Sequence, residues 1–311
     1  MFQKKSLSQK VNFALERMIQ IHLTKISPVW NTRYLYWRKM RKMINLDNPQ
    51  TFSEKINWLK LFVYHNNPLV IQCSDKFAIR EYVKSCGCPQ LLNELYGVYN
   101  KPEDIEWEKF PGKFVVKWNF GSGFNLFCTK KETFDIKTAT QKLKKWQKTN
   151  PHLYLSVMHY KYIKRKIIVE KFIDGLNSDY PDDFKIYCLN GSPTYIMVCN
   201  TRDSGRTQFY FFDTQWNFCS LYKDTVQGSD NFSMNKPEGV DLAIFYAEKL
   251  CKPFPFVRID FYIVNGQPVL GEMTFAPSGG FDADHYNEDL LVADRRESLF
   301  GKLLDISMYK N

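Results

Sequence analysis

Four residues at alternate positions near the end of the chain could carry phosphate chemistry. Arg258 and Asp260 lie in Val257-Arg258-Ile259-Asp260-Phe261, and Glu272 and Thr274 in Gly271-Glu272-Met273-Thr274-Phe275. Alternate residues of a strand share a face. Val257, Ile259, Phe261 and Ile263 thus make an apolar side, with Arg258 and Asp260 opposite. On the outgoing strand Val269, Gly271, Met273 and Phe275 take one face, and Glu272 and Thr274 the other. Asn265-Gly266 is a hairpin signal. A three-residue turn, Asn265-Gly266-Gln267, pairs Val264 with Pro268, Asp260 with Glu272 and Arg258 with Thr274. A two-residue turn sends the acids to opposite faces. Facing carboxylates repel unless a cation lies between them, and an arginine beside them suits a phosphoryl group. The hairpin reads as a Mg-phosphate site, against the plainer alternative of an outer sheet face that merely carries charge.

A second element is Phe114-Val115-Val116-Lys117-Trp118-Asn119-Phe120-Gly121-Ser122-Gly123. A lysine leaving a strand before a glycine-rich tip can hold phosphates while backbone N–H groups close over them. GxxxxGK[ST] is absent, so this is not a P-loop, and a strand rather than a helix follows the glycines, so it is not a Rossmann turn. An ordinary hairpin loop accounts for Gly121-Ser122-Gly123 equally well. A third element, Val169-Glu170-Lys171-Phe172-Ile173, sets an acid among apolar neighbours where it could line an adenine and ribose pocket, although a surface-facing Glu is commoner. Arg202, Arg206 and the loop Ser278-Gly279-Gly280 are candidate anionic-substrate contacts, against surface arginines and an ordinary turn.

The elements that must position these groups are legible in part. Thr51 and Glu54 form a capping box ahead of Phe52, Ile56, Leu59 and Phe62 at helical spacing. A further helix is expected from Ser74 through Val83, stopping at Gly87, and a polar one over 138–148. Val115-Val116 and Leu126-Phe127-Cys128 flank the glycine tip as a hairpin, Ile167 to Ile173 reads as a strand, and Asn190-Gly191 marks another hairpin. Helices first and hairpin-linked strands later predict an α+β fold with largely antiparallel sheets.

Composition bounds the rest. The 311 residues are 44% hydrophobic and 16% aromatic, which excludes a disordered chain. Eight cysteines lie mostly in apolar runs, with no CxxC pair or histidine at metal spacing, as expected of buried, reduced thiols in a cytosolic protein. No run approaches the ~20 apolar residues of a membrane span, nor is there a signal-peptide pattern. The net charge of +10 is localised: residues 1–46 hold ten of the 43 basic residues and one of the 33 acidic ones. Trp30, Tyr34, Tyr36 and Trp37 interleave that arm. A basic, aromatic arm points to an anionic membrane surface or an acidic polymer, or to a solvated helix packed by its aromatics; no nucleic-acid module follows it, so no nucleic acid is expected.

In this order and spacing the motifs resemble the TupA-like branch of the ATP-grasp superfamily, named for teichuronopeptide biosynthesis and found among surface-polysaccharide genes. Further blocks carry the resemblance: Pro49 to Lys55 with Trp58-Leu59-Lys60, Asp75-Lys76 with Arg80 to Val83, and Asp183 to Gly191. It implies an ATP-grasp fold, two lobes with antiparallel sheets clamping ATP, divided as a basic arm (1–46), an N-terminal lobe (47–112), a central lobe with the flap (113–173) and a C-terminal lobe (174–311). Lys117 would contact ATP phosphates under the Gly121-Ser122-Gly123 flap, with Lys76 a further phosphate contact. Glu170, Lys171, Phe172 and Ile173 would line the adenine pocket with Lys185 nearby. Asp260 and Glu272 would hold Mg2+, and Arg258 would stabilise the transferred phosphoryl group. Two positions depart from the family pattern: Phe120 replaces a histidine before the flap, and Thr274 stands where an asparagine metal ligand is common.

The reaction so implied is carboxylate–amine ligation through an acyl phosphate, joining an amino acid or amine to a uronic-acid-containing surface polysaccharide or its lipid-linked precursor. The expected setting is cytoplasmic, peripheral at the inner face of the membrane. The rival readings are a glycan kinase using the same site and a non-catalytic glycan-binding or assembly protein.

Overall fold

The computed structural model of the protein describes residues 7–174, 183–200, 208–219, 221, 233–281 and 299–310. Arg202 and Arg206 lie outside them. The chain opens with two helices, α1 (Leu7–Ile26) and α2 (Pro28–Met40), joined at Ser27, whose hydroxyl accepts from Val29 N. Pro28 falls in the first turn of α2, where its missing N–H costs nothing. Helix α3 (Phe52–Phe62) starts at the expected capping box: Thr51 accepts from Glu54 N, and the Glu54 carboxylate accepts from Thr51 N.

The single helix expected over Ser74 to Val83 is two, α4 (Pro68–Ser74) and α5 (Ile79–Ser85). Asp75 causes the break. Its backbone is extended, and its carboxylate accepts from Phe77 N and Ala78 N, so it competes for groups that would continue α4. Lys76 therefore sits in a turn rather than opening a helix, and its N–H donates to Asn119 O.

Strands β1 (Leu95–Tyr99), β2 (Phe114–Trp118), β3 (Asn125–Cys128) and β4 (Ile167–Lys171) form one sheet in the order β1-β4-β2-β3. Strands β5 (Asp183–Leu189), β6 (Ser192–Asn200), β7 (Gln208–Asp213), β8 (Phe218–Cys219), β9 (Phe256–Val264) and β10 (Gln267–Thr274) form another, ordered β10-β9-β5-β6-β7-β8. Every pairing among the described residues is antiparallel, as expected for the α+β reading.

Each sheet buries one face. Phe114, Val116 and Trp118 of β2 pack with Ile167 and Val169 of β4 against Leu143 of α6 (Ile136–Gln147). Val257, Ile259 and Phe261 of β9 pack with Val240, Ala243, Ala247 and Leu250 of α8 (Val240–Cys251). By strand alternation Val115 and Lys117 take the free face of the first sheet, and Arg258, Asp260 and Tyr262 that of the second. These charged faces look into one cavity.

The charge-rich N-terminal helices are packed onto the rest of the protein. Thr24 bonds Ser156 side chain to side chain at 3.1 Å, just beyond the short helix α7 (His152–Leu155). Asn31 of α2 donates to Tyr154 O and to Ser156 Oγ. Leu35, Tyr36 and Met40 share a core with Leu61 and Phe281. All eight cysteines are free thiols, six of them buried. No described helix is long and apolar enough to cross a membrane.

Candidate active site

The β9–β10 hairpin departs from the register expected of it. Gln267 pairs with Val264, so Asn265-Gly266 is a two-residue turn, with both residues at positive φ (49° and 72°) as a type I′ turn requires. On regular pairing that turn would set Glu272 opposite Ile259 and into the core. A bulge at Gly271 intervenes, and beyond it Glu272 pairs with Asp260 and Thr274 with Arg258. Glycine suits this position because a Cβ would lie 3.1 Å from Asp260 O and 3.3 Å from the Tyr262 ring. The four residues share a face, reached by a route that counting from the turn does not reveal.

Their carboxylates are gripped by cations. Arg258 donates to Asp260 through Nε and Nη2, both at 2.7 Å, and its Nη2 lies 3.7 Å from Glu272. Lys185, directly opposite Asp260 on β5, donates to it at 2.7 Å and also holds Asp183. Lys76 Nζ stands 3.2 Å from Glu272 and donates to Gly121 O at 2.8 Å, tying the glycine hairpin of the first sheet to the carboxylate of the second. Thr274 donates to Glu272.

Protonation follows from these contacts. Burial pushes the Glu272 carboxyl up, but Lys76 and then Arg258 overcome this and hold it at about 2, ionised at any physiological pH. Burial and the neighbouring Asp260 push Asp183 up to about 6. Burial disfavours the charged Arg258 and Lys185 and is the largest single influence on each, yet Asp260 together with Tyr187 and Glu272 raises Arg258, and Asp260 together with Asp183 raises Lys185. The site is thus a partly buried, nearly balanced ionic cluster. Such a cluster contributes little to stability, and its cost is best understood as the preorganisation of a polar site.

The cavity between the sheets, about 420 Å³, has two unlike ends. Lys76, Lys117, Lys185, Arg258, Asp260 and Glu272 line the charged end. Val115, Phe127, Phe172 and Ile173 line the apolar one, with Lys171 at its edge. Ser122 and Gly123 of the hairpin tip reach the cavity, and Gly121 holds Lys76 at its base. The base of this hairpin is fixed: Asn119 is fully buried, accepts from Lys166 N and donates to Lys164 O. Phe120 points away into the core of the first sheet, against Trp118, Phe124 and the Arg165 guanidinium.

Other candidates fall elsewhere. Glu170 is buried beside Lys117, which donates to it at 2.9 Å, and Arg80 lies 3.7 Å from its other oxygen. It orients Lys117 and is not among the residues lining the cavity. Lys185 is at the charged end rather than beside the apolar one. Ser278 and Gly279 line an adjoining chamber, while Gly280 packs on Asn57. Sequence reasoning passed over Asp183, Tyr262 and Arg80. The first was signalled by its spacing: Asp183 and Lys185 alternate on a strand as Arg258 and Asp260 do.

A pair of antiparallel sheets with charged faces turned to one cavity, one of them carrying a glycine-tipped hairpin, is the ATP-grasp architecture. The chain belongs to the TupA-like ATP-grasp family: residues 54–294, well over half of it, match the family model of that description. No curated protein matches. Among solved structures, D-alanine–D-alanine ligase of Helicobacter pylori is 15% identical, covering 82% of this chain and 69% of its own, with a TM-score of 0.41. The L-amino acid ligase of Bacillus licheniformis is 12% identical over 71% of this chain, which spans 47% of it, with a TM-score of 0.41. The Bacillus anthracis D-alanine–D-alanine ligase, solved with ATP, is 17% identical over 74% of this chain and 68% of its own, with a TM-score of 0.37.

Proposed function

We propose that this protein is an ATP-dependent carboxylate–amine ligase that works through an acyl phosphate. Its acceptor would be a uronic-acid-containing surface polysaccharide or precursor, and its co-substrate an amino acid or amine. The observation that carries the reading is the Asp260–Glu272 pair, set across β9 and β10 and encircled by Arg258, Lys185 and Lys76 at the charged end of a cavity whose other end is apolar. That polarity matches a nucleotide, base toward Val115 and Phe172, phosphates toward the lysines.

The donor set fits a hard, oxygen-binding cation: two opposed carboxylates, Glu272 kept ionised, with the Thr274 hydroxyl beside them. Mg2+ held by Asp260 and Glu272 would neutralise charge on the phosphoryl oxygens. Lys76, Lys117, Lys185 and Arg258, now paired with carboxylates, would exchange those partners for phosphate oxygens at little desolvation cost, since all four are already partly withdrawn from water. The acceptor carboxylate oxygen attacks the γ-phosphorus in line, the bond to ADP breaks, and an acyl phosphate forms. An amine then attacks the acyl carbon and phosphate leaves, its proton passing to solvent.

Thermal stability with and without Mg2+ and a non-hydrolysable ATP analogue tests the nucleotide site. A metal-dependent rise is expected for the wild type and should shrink in Asp260→Asn; no rise at millimolar nucleotide sinks the reading. Hydroxylamine then separates the chemistries: a ligase yields a hydroxamate from its acyl phosphate, and a kinase yields none.

We further propose that the N-terminal helices seat the protein on an anionic membrane surface, where lipid-linked precursors reside. The support is their outer surface: Val11, Leu15, Met18, Ile26, Trp30 and Trp37 are exposed among the basic residues of the arm. Large apolar side chains beside lysine and arginine favour a bilayer over a soluble polyanion.

A further inference from the structure

Basic residues also gather away from the N-terminal helices. Residues 101–173, all of them described, hold 16 of the 43 basic residues and seven of the 33 acidic ones. Helix α6 carries the densest part. Lys137, Lys142, Lys144, Lys145 and, at its C-cap, Lys148 are exposed, while Ala139 and Leu143 are buried beneath them. At 3.6 residues per turn Lys137, Lys145 and Lys148 turn away from Leu143, and Lys142 borders the groove between α6 and β3. Only the lysines of the last turn suit the helix dipole. The first turn holds Lys137 and no acid, and like charges stand three or four residues apart at Lys142–Lys145, Lys144–Lys148 and Lys145–Lys148. The pattern works against the helix and calls for another reason.

We propose that the exposed face of α6, centred on Lys142, Lys145 and Lys148, docks an acidic polysaccharide as an extended polyanion outside the catalytic cavity. This rests on the ligase reading and adds to it that the acceptor is gripped as a polymer, on the lobe that carries the glycine hairpin.

The charges are open to a partner. Among the acids of this segment, Glu103 meets Lys144 at 2.8 Å, Glu106 meets Lys109 at 2.6 Å, Asp135 accepts from Thr138, and Glu170 is buried beside Lys117. Asp104, Glu108 and Glu132 are exposed, all before the helix in the chain. Among the described residues Lys142, Lys145 and Lys148 form no ion pair with any of these. The face also leads toward the site. Past Lys148, Arg165 donates to Thr149 O and Asn150 Oδ1, next to the exposed Lys164. Burial first, then Arg165 and Lys161, push the His152 imidazole down to about 4, so the junction with α7 is electropositive. Pro151 and Gly121 then line a second chamber of about 580 Å³, which α1 and α2 help to enclose and which shares Ser122, Arg258 and Glu272 with the nucleotide cavity.

The chemistry of the face selects the polymer over a bilayer. The N-terminal helices expose Leu15, Trp30 and Trp37 among their charges, whereas α6 exposes one large apolar side chain, Ile136 at its first position. Lysines without apolar neighbours attract an anion but give nothing to insert among acyl chains.

The test measures binding of the full chain to polygalacturonate, with dextran as the uncharged polymer and phosphatidylserine vesicles as the membrane. Wild type should bind polygalacturonate in preference to dextran, more weakly as salt is raised. Lys142→Gln, Lys145→Gln and Lys148→Gln together should weaken polygalacturonate about tenfold, leaving vesicle co-sedimentation and the nucleotide-dependent thermal shift as in wild type. Arg at the same three positions keeps the charge and should retain the binding. Equal polygalacturonate binding by wild type and the triple Gln variant overturns the proposal, as does a wild type that does not prefer polygalacturonate to dextran. A triple Gln variant that loses vesicles and keeps polygalacturonate overturns it too, making the face a membrane contact. The nucleotide shift separates the two readings: its absence from wild type counts against the ligase, whereas failure of polymer binding with the shift intact counts against this docking surface alone.

Discussion

Asp260 stands directly opposite Glu272 because the chain inserts one extra residue, Gly271, between their two ladders. The hairpin turn has two residues, so without the bulge the second carboxylate would face the core of the large sheet beside Ile259. The two acids share a site by virtue of a glycine whose hydrogen faces the Asp260 carbonyl.

Replacing that glycine should therefore damage the site more than the fold. In Gly271→Val the side chain meets a backbone oxygen that cannot yield, and overpacking of this kind costs about 1–3 kcal/mol. The expected outcome is a moderately lowered Tm with loss of the Mg-dependent nucleotide shift. A variant with wild-type nucleotide binding would show that the bulge is not needed.

Glu170 serves Lys117 rather than the cavity, which separates it from the other candidates. Glu170→Gln keeps the shape but frees the Lys117 ammonium and removes the charge beside Arg80. Breaking a buried pair by neutralising one partner costs about 3–5 kcal/mol at most. ATP-analogue affinity should fall severalfold, and chemical denaturation should show a loss of stability. Lys117→Met should lose more affinity with less destabilisation. The two variants, titrated side by side, check the division of roles.

Among the described residues Lys60 is buried with no carboxylate beside it, and its Nζ donates to Asn57 Oδ1, Leu155 O and Gly279 O at 2.6, 3.1 and 2.8 Å, over the face of Phe281. It clamps the Ser278–Gly280 loop, in which Ser278 holds φ 49°, to α3 and α7. Lys60→Met strands two buried acceptors, Asn57 Oδ1 and Gly279 O, at about 1–3 kcal/mol each, and a half-buried one, Leu155 O. A large drop in Tm is expected, and a stability equal to wild type would deny the clamp.

Acid should destabilise the protein through His159. Burial, helped by Lys60, pushes its imidazole down to about 3, against an ordinary 6.5. Between those values the unfolded chain binds the extra proton and the folded one does not, so stability falls with pH from about 6.5 until the folded ring protonates near 3. The slope is about 1.4 kcal/mol per pH unit for this one group. His159→Phe, which suits the ring contacts with Tyr160 and Phe275, should flatten the Tm profile between pH 6 and 4. An unaltered profile would exclude His159 as its source.

Membrane seating makes a separate claim. Trp30→Ser with Trp37→Ser removes exposed rings and leaves the packed face of α2 intact. Co-sedimentation with phosphatidylserine vesicles should drop at least fivefold, nucleotide binding should not change, and raised salt should weaken the wild type. Equal sedimentation of both proteins would dismiss the arm as a membrane anchor.

Much of this arrangement was determined by the sequence. Strand alternation alone puts Lys117 with Val115, and Arg258 with Asp260, on faces away from the apolar residues between them. Thr51 and Glu54 declare their capping box, and two Asn-Gly pairs declare their turns, since each is a contact between residues a few positions apart. Only the tertiary structure decided what those faces meet. The Gly271 bulge, the break at Asp75 that frees Lys76 to bridge the two sheets, the burial of Glu170 beside Lys117 and the packing of α1 and α2 around the second chamber all depend on partners distant in sequence. Alternation records which side of a strand is apolar; register, and which charged side faces which, are set by close packing across the fold, and no local pattern encodes them.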